Sequence, residues 1–499
     1  MPSFAVRRNL CRSVAAAVTA LWLSGIPPAL APVAALRSFL APSTAQAGLF
    51  DGDEQAVGAQ EHPKILAQFG GAVKDGRLQD YVDRLGRKLA ATTGRAAEPW
   101  SFTVLDSEVV NAFALPGGYV YVTRGLLALA KDEAEVAGVL AHEIGHVTAR
   151  HSAQRQTRQT IAGLLAAGAG LLLGDETVAQ LAGIGGSALV ASYSREQELE
   201  ADQLGVGTLE RAGYDPFAMA TFLETLRRDG QYDGLRAGRK AGEGFDFFAS
   251  HPQTEDRVRR AADLARARPA GGTRPRDGYL AAVDGMIYGD SPDNGFVRGR
   301  TFAHPALGIA FAVPEGYSLL NGADQVIAKD ADGAMMAFDS VAVSSGARDP
   351  ADYLARVWGK GAVLRDLQAV AIGGLPAATA LTAGEVDGTA ADIRLVAIGF
   401  DERTVYRFTF LAPAGGLARA DRGFQATANS FHRLGAAEAN QLRPRRIRVV
   451  AVQPGDQVEG LVRRMPQEPY AEELFRIIND LPPGTPLAAG QRVKLIQEE

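Results

Sequence analysis

The sequence predicts an α+β protein of several domains, and three observations support that prediction. Through residues 132–146 apolar side chains recur at helical spacing, which indicates a mainly helical first domain. From 279 to 434 short segments alternate between polar and apolar residues, as half-buried strands do. Stretches of linker composition at 266–278 and 435–446 separate these two parts from each other and from a small module at 447–499.

A pattern typical of metal binding lies in the first predicted helix. Asp132 followed three residues later by Glu135 forms a capping box, which predicts that the helix begins there. His142 and His146 are four residues apart, so both imidazole rings lie on one helical face and can reach one metal ion. Glu143 lies to the side of this pair, where a carboxylate can take a proton from water. The pattern predicts a zinc centre with Glu143 as the general base.

A catalytic zinc ion usually has three protein ligands, so a third ligand is expected further along the chain. The segment from Ser194 to Asp202 supplies the best candidates, because Glu198 and Asp202 are four residues apart and share a helical face. We predict that Glu198 is the third ligand and that Asp202 accepts a hydrogen bond from a ligand histidine and orients it. The alternative interpretation places Glu198 on a solvated, charged helix.

Together these motifs resemble one known family. The run Asn111–Tyr119 with its Pro-Gly-Gly turn, the HExxH segment His142–His146 and the ExxAD segment Glu198–Asp202 follow one another as in the gluzincin metallopeptidases related to HtpX, the CAAX prenyl endopeptidase and BepA. The resemblance covers about residues 50–265 and is nearest to the exported, BepA-like branch. It implies peptide-bond hydrolysis with one zinc ion per chain, held by the two histidines and Glu198.

Further residues are candidates for catalysis and substrate binding. The resemblance implies that His251 approaches the zinc as a displaceable fourth ligand or stabilises the transition state, and that Arg257 stabilises the oxyanion. The alternative is that His251 is a loop residue and Arg257 an ordinary surface charge. Tyr119 begins an alternating segment that predicts a small sheet with an edge strand beside the zinc, where a peptide can pair. Gly117 and Gly118 would let the substrate backbone approach closely, and a plain hairpin turn is the alternative.

Residues 1–47 have the pattern of a secretory signal peptide. Arginines precede an apolar stretch, and Thr44 to Ala47 ends in an A-x-A cleavage pattern. The chain has one cysteine, Cys11, and it lies in this segment, so the exported chain needs no disulfide. We therefore expect the protein in the periplasm, with the first domain at 48–265.

Charge and hydropathy restrict the partners. The signal segment holds four arginines and no acidic residue, so the 52 basic and 57 acidic residues of the whole chain become 48 and 57 after cleavage. This acidic balance offers no basic stripe for phosphates, which excludes a nucleic-acid partner. The apolar runs at 161–173 and 178–191 are each shorter than the roughly 20 residues that span a bilayer. We expect helices that cover the active site, with peripheral membrane association as the open alternative.

The remaining two parts carry no predicted catalytic residues. The domain at 279–434 has no assigned role; its predicted strands lie at 308–313, 337–343, 393–398 and 405–410, and its predicted helices lie at 350–358 and 417–432. The module at 447–499 resembles a LysM module, because a strand before Pro454, two helices ending near Asn479 and a closing strand follow in that order. That resemblance implies peptidoglycan binding, and a degenerate module that only packs on its neighbour is the alternative.

The leading hypothesis is an exported zinc metalloendopeptidase that acts on protein or peptide substrates. We expect misfolded or misassembled envelope proteins as substrates and the outer-membrane assembly machinery as a partner. One alternative is a latent protease that acts mainly as a periplasmic chaperone or cell-wall-binding scaffold, with His251 over the zinc. A peptidoglycan hydrolase is a further alternative that rests on the LysM-like module alone.

Overall fold

The structure is a computed structural model, and it describes residues 51–151, 193–237, 251, 255–322, 325–343, 349–386 and 389–499. The predicted signal peptide at 1–47 and the predicted covering helices at 161–191 lie outside the described residues. Within the described ranges, no helix combines the length and the hydropathy needed to cross a bilayer.

The described part of residues 51–288 forms mainly helices around a three-stranded sheet, as the helical periodicity predicted. The helices are α1 (Asp51–Gln68), α2 (Gly76–Ala90), α3 (Arg124–Leu129), α4 (Glu133–Thr148), α5 (Arg195–Arg211), α6 (Phe217–Ala237), α7 (Glu255–Arg266) and α8 (Asp277–Val283). The strands are β1 (Ser101–Leu105), β2 (Ala112–Leu115), β3 (Tyr119–Thr123) and β4 (Ile287–Tyr288), of which β4 joins another sheet.

Helix α4 carries the HExxH motif through the centre of this region. The side chain of Asp132 accepts a hydrogen bond from the Glu135 amide, so Asp132 is the N-cap, as predicted. The reciprocal half of the predicted capping box is absent there, because the Glu135 carboxylate accepts from the Lys131 amide instead, at 3.1 Å. Every residue from Ala134 to Val147 is buried, so the motif is held by packing on all sides.

Helices α4 and α5 approach each other closely at two glycines. A methyl group at Gly205 would lie 3.2 Å from the His142 backbone nitrogen, and one at Gly145 would lie 3.0 Å from the Ala201 carbonyl oxygen. Both distances are tighter than ordinary side-chain contacts, so larger residues would push the helices apart. The close packing brings the first turns of α5 beside the histidines of α4.

The small sheet differs from the prediction in its strand order. Its order is β1-β3-β2, with β3 parallel to β1 and antiparallel to β2. The prediction that the segment beginning at Tyr119 is an edge strand is therefore wrong, because β3 pairs on both sides. Alternating sequence indicates a strand but does not fix its place in a sheet. Among the described strands, β2 has one edge without a partner strand, and its Ala112 carbonyl oxygen lies 3.3 Å from Nε2 of His251.

The middle region contains two antiparallel sheets, which confirms its predicted fold class. Its strands are β5 (Phe296–Arg298), β6 (Thr301–His304), β7 (Ile309–Ala312), β8 (Ser318–Asn321), β9 (Val326–Lys329), β10 (Met335–Ala342), β11 (Arg365–Ile372), β12 (Leu375–Val386), β13 (Thr389–Gly399), β14 (Thr404–Pro413) and β15 (His432–Arg433). Its helices are α9 (Pro350–Tyr353), a π-helical turn at Leu354–Trp358, α10 (Leu417–Asn429) and α11 (Ala436–Ala439). The larger sheet has the order β11-β12-β13-β14-β10-β9-β8, and the smaller one has the order β15-β7-β6-β5.

Both faces of the seven-stranded sheet are buried against other elements. One core is rich in aromatic residues, such as Phe338, Phe408 and Phe424, and lies under α10 and the smaller sheet. The other core contains Tyr353 and Leu354 from α9 and the π-helical turn. Strand β11 extends beyond both of these covers, since all its residues except Ile372 are exposed.

The C-terminal module has the predicted order of strand, two helices and strand. Its elements are β16 (Arg445–Ala451), α12 (Val458–Val462), α13 (Ala471–Asn479) and β17 (Arg492–Glu498). The module and the first region share one hydrophobic core, and β4 pairs with β16 in a sheet of order β17-β16-β4. Residues 279–286, predicted to begin the middle domain, contribute Tyr279, Leu280 and Met286 to this shared core. Strand β16 also begins within the segment predicted as a linker.

Candidate metal centre

Four buried side chains converge between α4, α5 and residue 251. The candidate ligand atoms of His142, His146, Glu198 and His251 all lie within 4.8 Å of one another. Nε2 of His142 lies 3.0 Å from Nε2 of His146. The carboxylate oxygens of Glu198 lie 3.6 Å from Nε2 of His142 and 3.4 Å from Nε2 of His146. The structure thus brings together the three predicted zinc ligands and the predicted fourth residue.

The local sequence explains how three of these side chains meet. One turn of α4 separates His142 from His146, so their rings point in the same direction. Ser194 caps α5 through a reciprocal hydrogen-bond pair with Gln197, which fixes where that helix starts. Glu198 therefore lies in the first turn of α5, against the two histidines.

Each histidine of the HExxH motif has an acceptor on its outer nitrogen. Nδ1 of His142 lies 2.9 Å from Oδ1 of Asp202, which is the partner predicted from the sequence. Nδ1 of His146 lies 2.9 Å from Nδ1 of His151, and Nε2 of His151 lies 3.2 Å from Glu200. Such partners orient ligand histidines and leave their inner nitrogens available.

The contact of His151 with His146 was not predicted, since a histidine just after a helix ordinarily interacts with the helix C-terminus. Helix α4 ends at Thr148, and Arg150 adopts a left-handed backbone with φ of 59°. This turn brings His151 back towards the helix it has just left. His151 follows His142 by nine residues, and this spacing was a signal in the sequence. Only the turn at Arg150 shows that His151 contacts His146. Tyr193 was also missed; its ring stacks on that of His146 at 3.8 Å.

Arg257 is buried among carboxylates. Its Nε and Nη2 atoms donate to the two oxygens of Asp202 at 2.9 and 2.8 Å, and its Nη1 lies 2.7 Å from Oε2 of Glu198. Burial opposes a charged guanidinium, but Asp202 and Glu198 raise the pKa of Arg257 above its usual value. In this arrangement Arg257 holds Glu198 and Asp202 in place, and the predicted oxyanion role would require it to release Glu198.

His251 contacts several groups of the centre at once. Its Nδ1 lies 3.0 Å from Oε1 of Glu198 and 3.4 Å from Nε2 of His142. Its Nε2 lies 3.3 Å from the Ala112 carbonyl oxygen and 3.6 Å from Glu143. His251 therefore stands both beside the ligand cluster and against the free edge of β2.

Glu143 is fully buried next to this cluster. Neither of its carboxylate oxygens has a hydrogen-bond partner in the part of the chain that the structure describes. Burial raises the pKa of this carboxyl group. A buried carboxylate without a partner is costly, so its retention indicates a ligand, a water molecule or a catalytic role at this position.

Burial and neighbouring charges together determine the pKa values of the residues in this cluster. Burial opposes protonation of His142, but in the metal-free chain the carboxylates of Asp202 and Glu198 outweigh it and raise its pKa to about 10, so a metal ion must displace a proton from this ring. Burial would raise the pKa of Glu198, yet His251 and His142 lower it. For His146, burial dominates and lowers the pKa well below the usual value, which favours the neutral ring that binds metal.

The donor chemistry fits a zinc ion. Two imidazole nitrogens face each other at 3.0 Å with a carboxylate beside both, and these are three donor atoms that one metal ion can share. Two histidines and one glutamate form a common catalytic zinc set, and His251 as a fourth ligand would close the shell. The described cluster therefore matches the predicted ligand set.

The predicted substrate-binding turn lies against α1. Gly117 and Gly118 have φ values of 79° and 83°, which explains why the turn needs glycine. A methyl group at Gly117 would lie 2.7 Å from the Gln55 Cα atom. Tyr119 is half-buried at the start of β3. The roles of these three residues in substrate binding stay a prediction.

Two histidines on α4 and a glutamate on α5 together define a candidate centre of the gluzincin metallopeptidase class. The sequence of residues 76–265 matches the model of Peptidase family M48. The metalloprotease LoiP of Escherichia coli is 30% identical over 196 residues, which cover 38% of this chain and 70% of LoiP. The chain belongs to peptidase family M48, so the predicted resemblance is confirmed for the peptidase region.

Two other relatives carry names that refer to β-barrel assembly. The putative beta-barrel assembly-enhancing protease of Vibrio cholerae is 33% identical over 228 residues, covering 44% of this chain and 45% of that protein. The beta-barrel assembly-enhancing protease of Escherichia coli is 31% identical over 288 residues, covering 55% of this chain and 56% of that protein. The chain thus matches about half the length of these two relatives. The LysM likeness stays a prediction.

Proposed function

We propose that this protein is an exported zinc metalloendopeptidase that cleaves misfolded or misassembled envelope proteins. The observation that carries the proposal is the buried convergence of His142, His146 and Glu198 beside the unpartnered carboxylate of Glu143. Membership of a peptidase family supports peptide-bond hydrolysis. The names of the two assembly-enhancing relatives support envelope proteins as substrates and the outer-membrane assembly machinery as a partner.

In the proposed reaction, His142, His146 and Glu198 hold one zinc ion. When bound, zinc supplies a Lewis acid for the substrate carbonyl and lowers the pKa of a water molecule towards about 7. Glu143 accepts the proton of the attacking water and returns it to the leaving amine. Its free oxygens are available for both transfers, because no described side chain occupies them with a hydrogen bond.

Three further residues position this machinery. Asp202 and His151 orient the ligand histidines through their outer nitrogens. Arg257 compensates the carboxylates of Asp202 and Glu198, so that Glu198 can be ionised although it is buried. We propose that Arg257 acts first through these carboxylates and reaches an oxyanion only after Glu198 turns towards the metal.

A latent form is the second candidate, and the position of His251 favours it. His251 lies in the ligand cluster and also contacts the carbonyl oxygen of Ala112 on β2. A peptide that pairs with the free edge of β2 would compete for that carbonyl. Displacement of His251 would then open both the fourth ligand position and the strand edge. Without displacement, the protein would act as a periplasmic chaperone or cell-wall-binding scaffold.

The test is casein cleavage by the exported chain, with zinc content measured in parallel. We expect one zinc per chain and cleavage in the wild type, and zinc without cleavage in Glu143→Gln. Higher activity of His251→Ala would support the latent form. Zinc without cleavage by any variant would favour the scaffold, and a chain that binds no zinc would refute the metal centre. Digestion of purified sacculi in place of casein would support the peptidoglycan hydrolase.

A further inference from the structure

A groove lies far from the metal centre, between helix α10 and the β11 end of the seven-stranded sheet. Its volume is about 850 Å³. The sheet contributes Arg365, Leu381 and Asp392, one from each of the last three strands, and α10 contributes residues between 417 and 429. Of β11, the last strand of the sheet, only Arg365 lines the groove among the described residues.

Strand β11 has the properties of an edge that accepts another strand. No described strand pairs with its outer side. A β-bulge interrupts its register between Arg365 and Gln368, but Gln368–Ile372 pairs regularly with β12 and contains neither lysine nor proline. Those are the devices with which proteins usually block edge strands. The outer amides and carbonyls of this segment are therefore available for pairing.

Apolar side chains collect around the same edge. Four of the eight exposed large apolar residues of the described chain lie within 357–370, although this segment is a small part of it. Val363 is 81% exposed, and Leu367 and Val370 on β11 itself are 41% and 36% exposed. A solvated edge strand would be expected to carry polar residues here, whereas these side chains gain from contact with a second strand.

The groove is lined by two arginines and two aspartates, which differ in whether they have partners within the protein. Arg365 and Arg422 are exposed, and neither has an ion pair within the described ranges. The acidic residues are engaged, because Asp421 binds the buried Arg394 through both oxygens, with one contact at 2.9 Å. Asp392 accepts a hydrogen bond from the Gly415 amide at 2.8 Å. The guanidinium groups of Arg365 and Arg422, which have no ion pair in the described ranges, favour a ligand that carries a carboxylate.

We propose that β11 and α10 form a docking cleft for an extended polypeptide segment that bears a carboxylate. The segment adds to the sheet as an eighth strand beside β11, and its backbone pairs with Gln368–Ile372. Beyond Gln368 the segment reaches the groove, where Arg365 and Arg422 bind an acidic side chain or the terminal carboxylate. Backbone pairing gives affinity and the groove gives selectivity, as in other cases of strand addition.

This cleft lies outside the peptidase region and goes beyond the proposed function. It gives the middle domain a role in capturing unpaired strands of a polypeptide before cleavage or assembly. An extended polypeptide segment suits both the unpaired β11 edge and the apolar side chains on it. An apolar small molecule would leave the β11 backbone unpaired. A second copy of this chain, paired edge to edge, would also bury β11, and the oligomeric state distinguishes it from a bound peptide.

The experiment measures fluorescence anisotropy with the full exported chain carrying Glu143→Gln, so that the probe is not cleaved. The probe is a labelled octapeptide of alternating valine and threonine that ends in glutamate with a free carboxyl group. The matched probe ends in glutamine amide. We expect the acidic probe to bind at least about tenfold more tightly, in line with a charge-assisted hydrogen bond. We also expect amides within 368–372 to gain protection from hydrogen exchange when it binds.

Variants locate the binding. Arg365→Gln and Arg422→Gln together should remove the preference for the acidic probe. Arg419→Gln is the matched control, because Arg419 lies on the same helix but pairs with Asp332, and it should leave binding unchanged. Equal binding of both probes, binding that survives the double substitution, or no binding of either probe would each overturn the proposal. Dimers that protect 368–372 without peptide would overturn it in favour of edge-to-edge pairing.

Discussion

Two buried polar clusters of the molecule differ in how completely their hydrogen-bonding groups are paired. At the junction with the C-terminal module, Nζ of Lys494 donates to the carbonyl oxygens of Ala128 and Ala130 and to the Tyr279 hydroxyl. Asn479 donates to the Lys494 carbonyl oxygen and accepts from its amide, at 2.9 and 2.8 Å. At the metal centre, by contrast, Glu143 has no described hydrogen-bond partner.

The difference separates a structural cluster from a functional one. Burial of polar groups is tolerated when every donor and acceptor is paired, as at the junction. A cluster that stays incomplete destabilises the fold unless a ligand completes it. Because Ala130 lies two residues before the N-cap of α4, the complete cluster also anchors the helix that carries the incomplete one. We infer that the C-terminal module is part of the peptidase framework.

The largest effect should come from Glu198→Ala, which removes a candidate ligand and leaves the buried Arg257 short of one carboxylate. We expect loss of bound zinc and of casein cleavage, because a three-ligand site cannot lose one ligand and keep its geometry. Zinc stoichiometry by elemental analysis checks this. Glu210→Ala is the matched control, since Glu210 lies on the same helix and pairs with Arg268 at 2.9 Å. Full zinc occupancy in Glu198→Ala would contradict the ligand set.

The next effect tests the satisfied cluster. Lys494→Ala should lower the free energy of unfolding by about 2–4 kcal/mol, because it leaves a cavity and removes a donor from two buried carbonyls. Lys494→Met should cost less, since it fills the space that alanine leaves empty. Urea unfolding measures both, with Lys329→Ala on the exposed side of β9 as a control that should change stability by less than about 0.5 kcal/mol. Equal stability of all three variants would show that the junction is not structural.

The sequence predicted the parts of the site that are local. His142, Glu143 and His146 lie on one helix, and Glu198 and Asp202 on another, so helical spacing alone aligns each set. The histidine ring that His151 contacts depends on the left-handed turn at Arg150, and residue spacing does not predict that turn.

The sequence was less informative about non-local arrangement. The alternating pattern indicated the strands of the middle domain, but the central position of β3 depends on its pairing with β1, which comes earlier in the chain. The attachment of the C-terminal module depends on a buried lysine, and lysine in a sequence normally indicates surface. The position of β3 and the attachment of the module both depend on contacts between residues that are far apart in the sequence.

A smaller effect should separate orientation from ligation within the metal centre. His151→Ala removes the acceptor on the outer nitrogen of His146 and should weaken zinc affinity about 10- to 100-fold without abolishing binding. His151→Gln retains an acceptor oxygen and should recover part of the affinity. Competition with a zinc chelator gives both values, and the free energy of unfolding of the metal-free chain serves as the control. A loss of stability that matches the loss of affinity would indicate a packing role instead.

The smallest effect is a pH dependence at the satisfied cluster. Burial lowers the pKa of Lys494 well below its usual value. Between the folded-state pKa and the unfolded value near 10.5, the unfolded chain binds a proton that the folded chain does not, so folding becomes more favourable as pH rises. Relative to Lys494→Met, the wild type should therefore gain stability between pH 7 and pH 9, by at most about 1.4 kcal/mol per pH unit. A difference that stays constant over this range would mean that the three oxygen acceptors keep the ammonium group charged, and the cluster would then be a satisfied ion rather than a neutral amine.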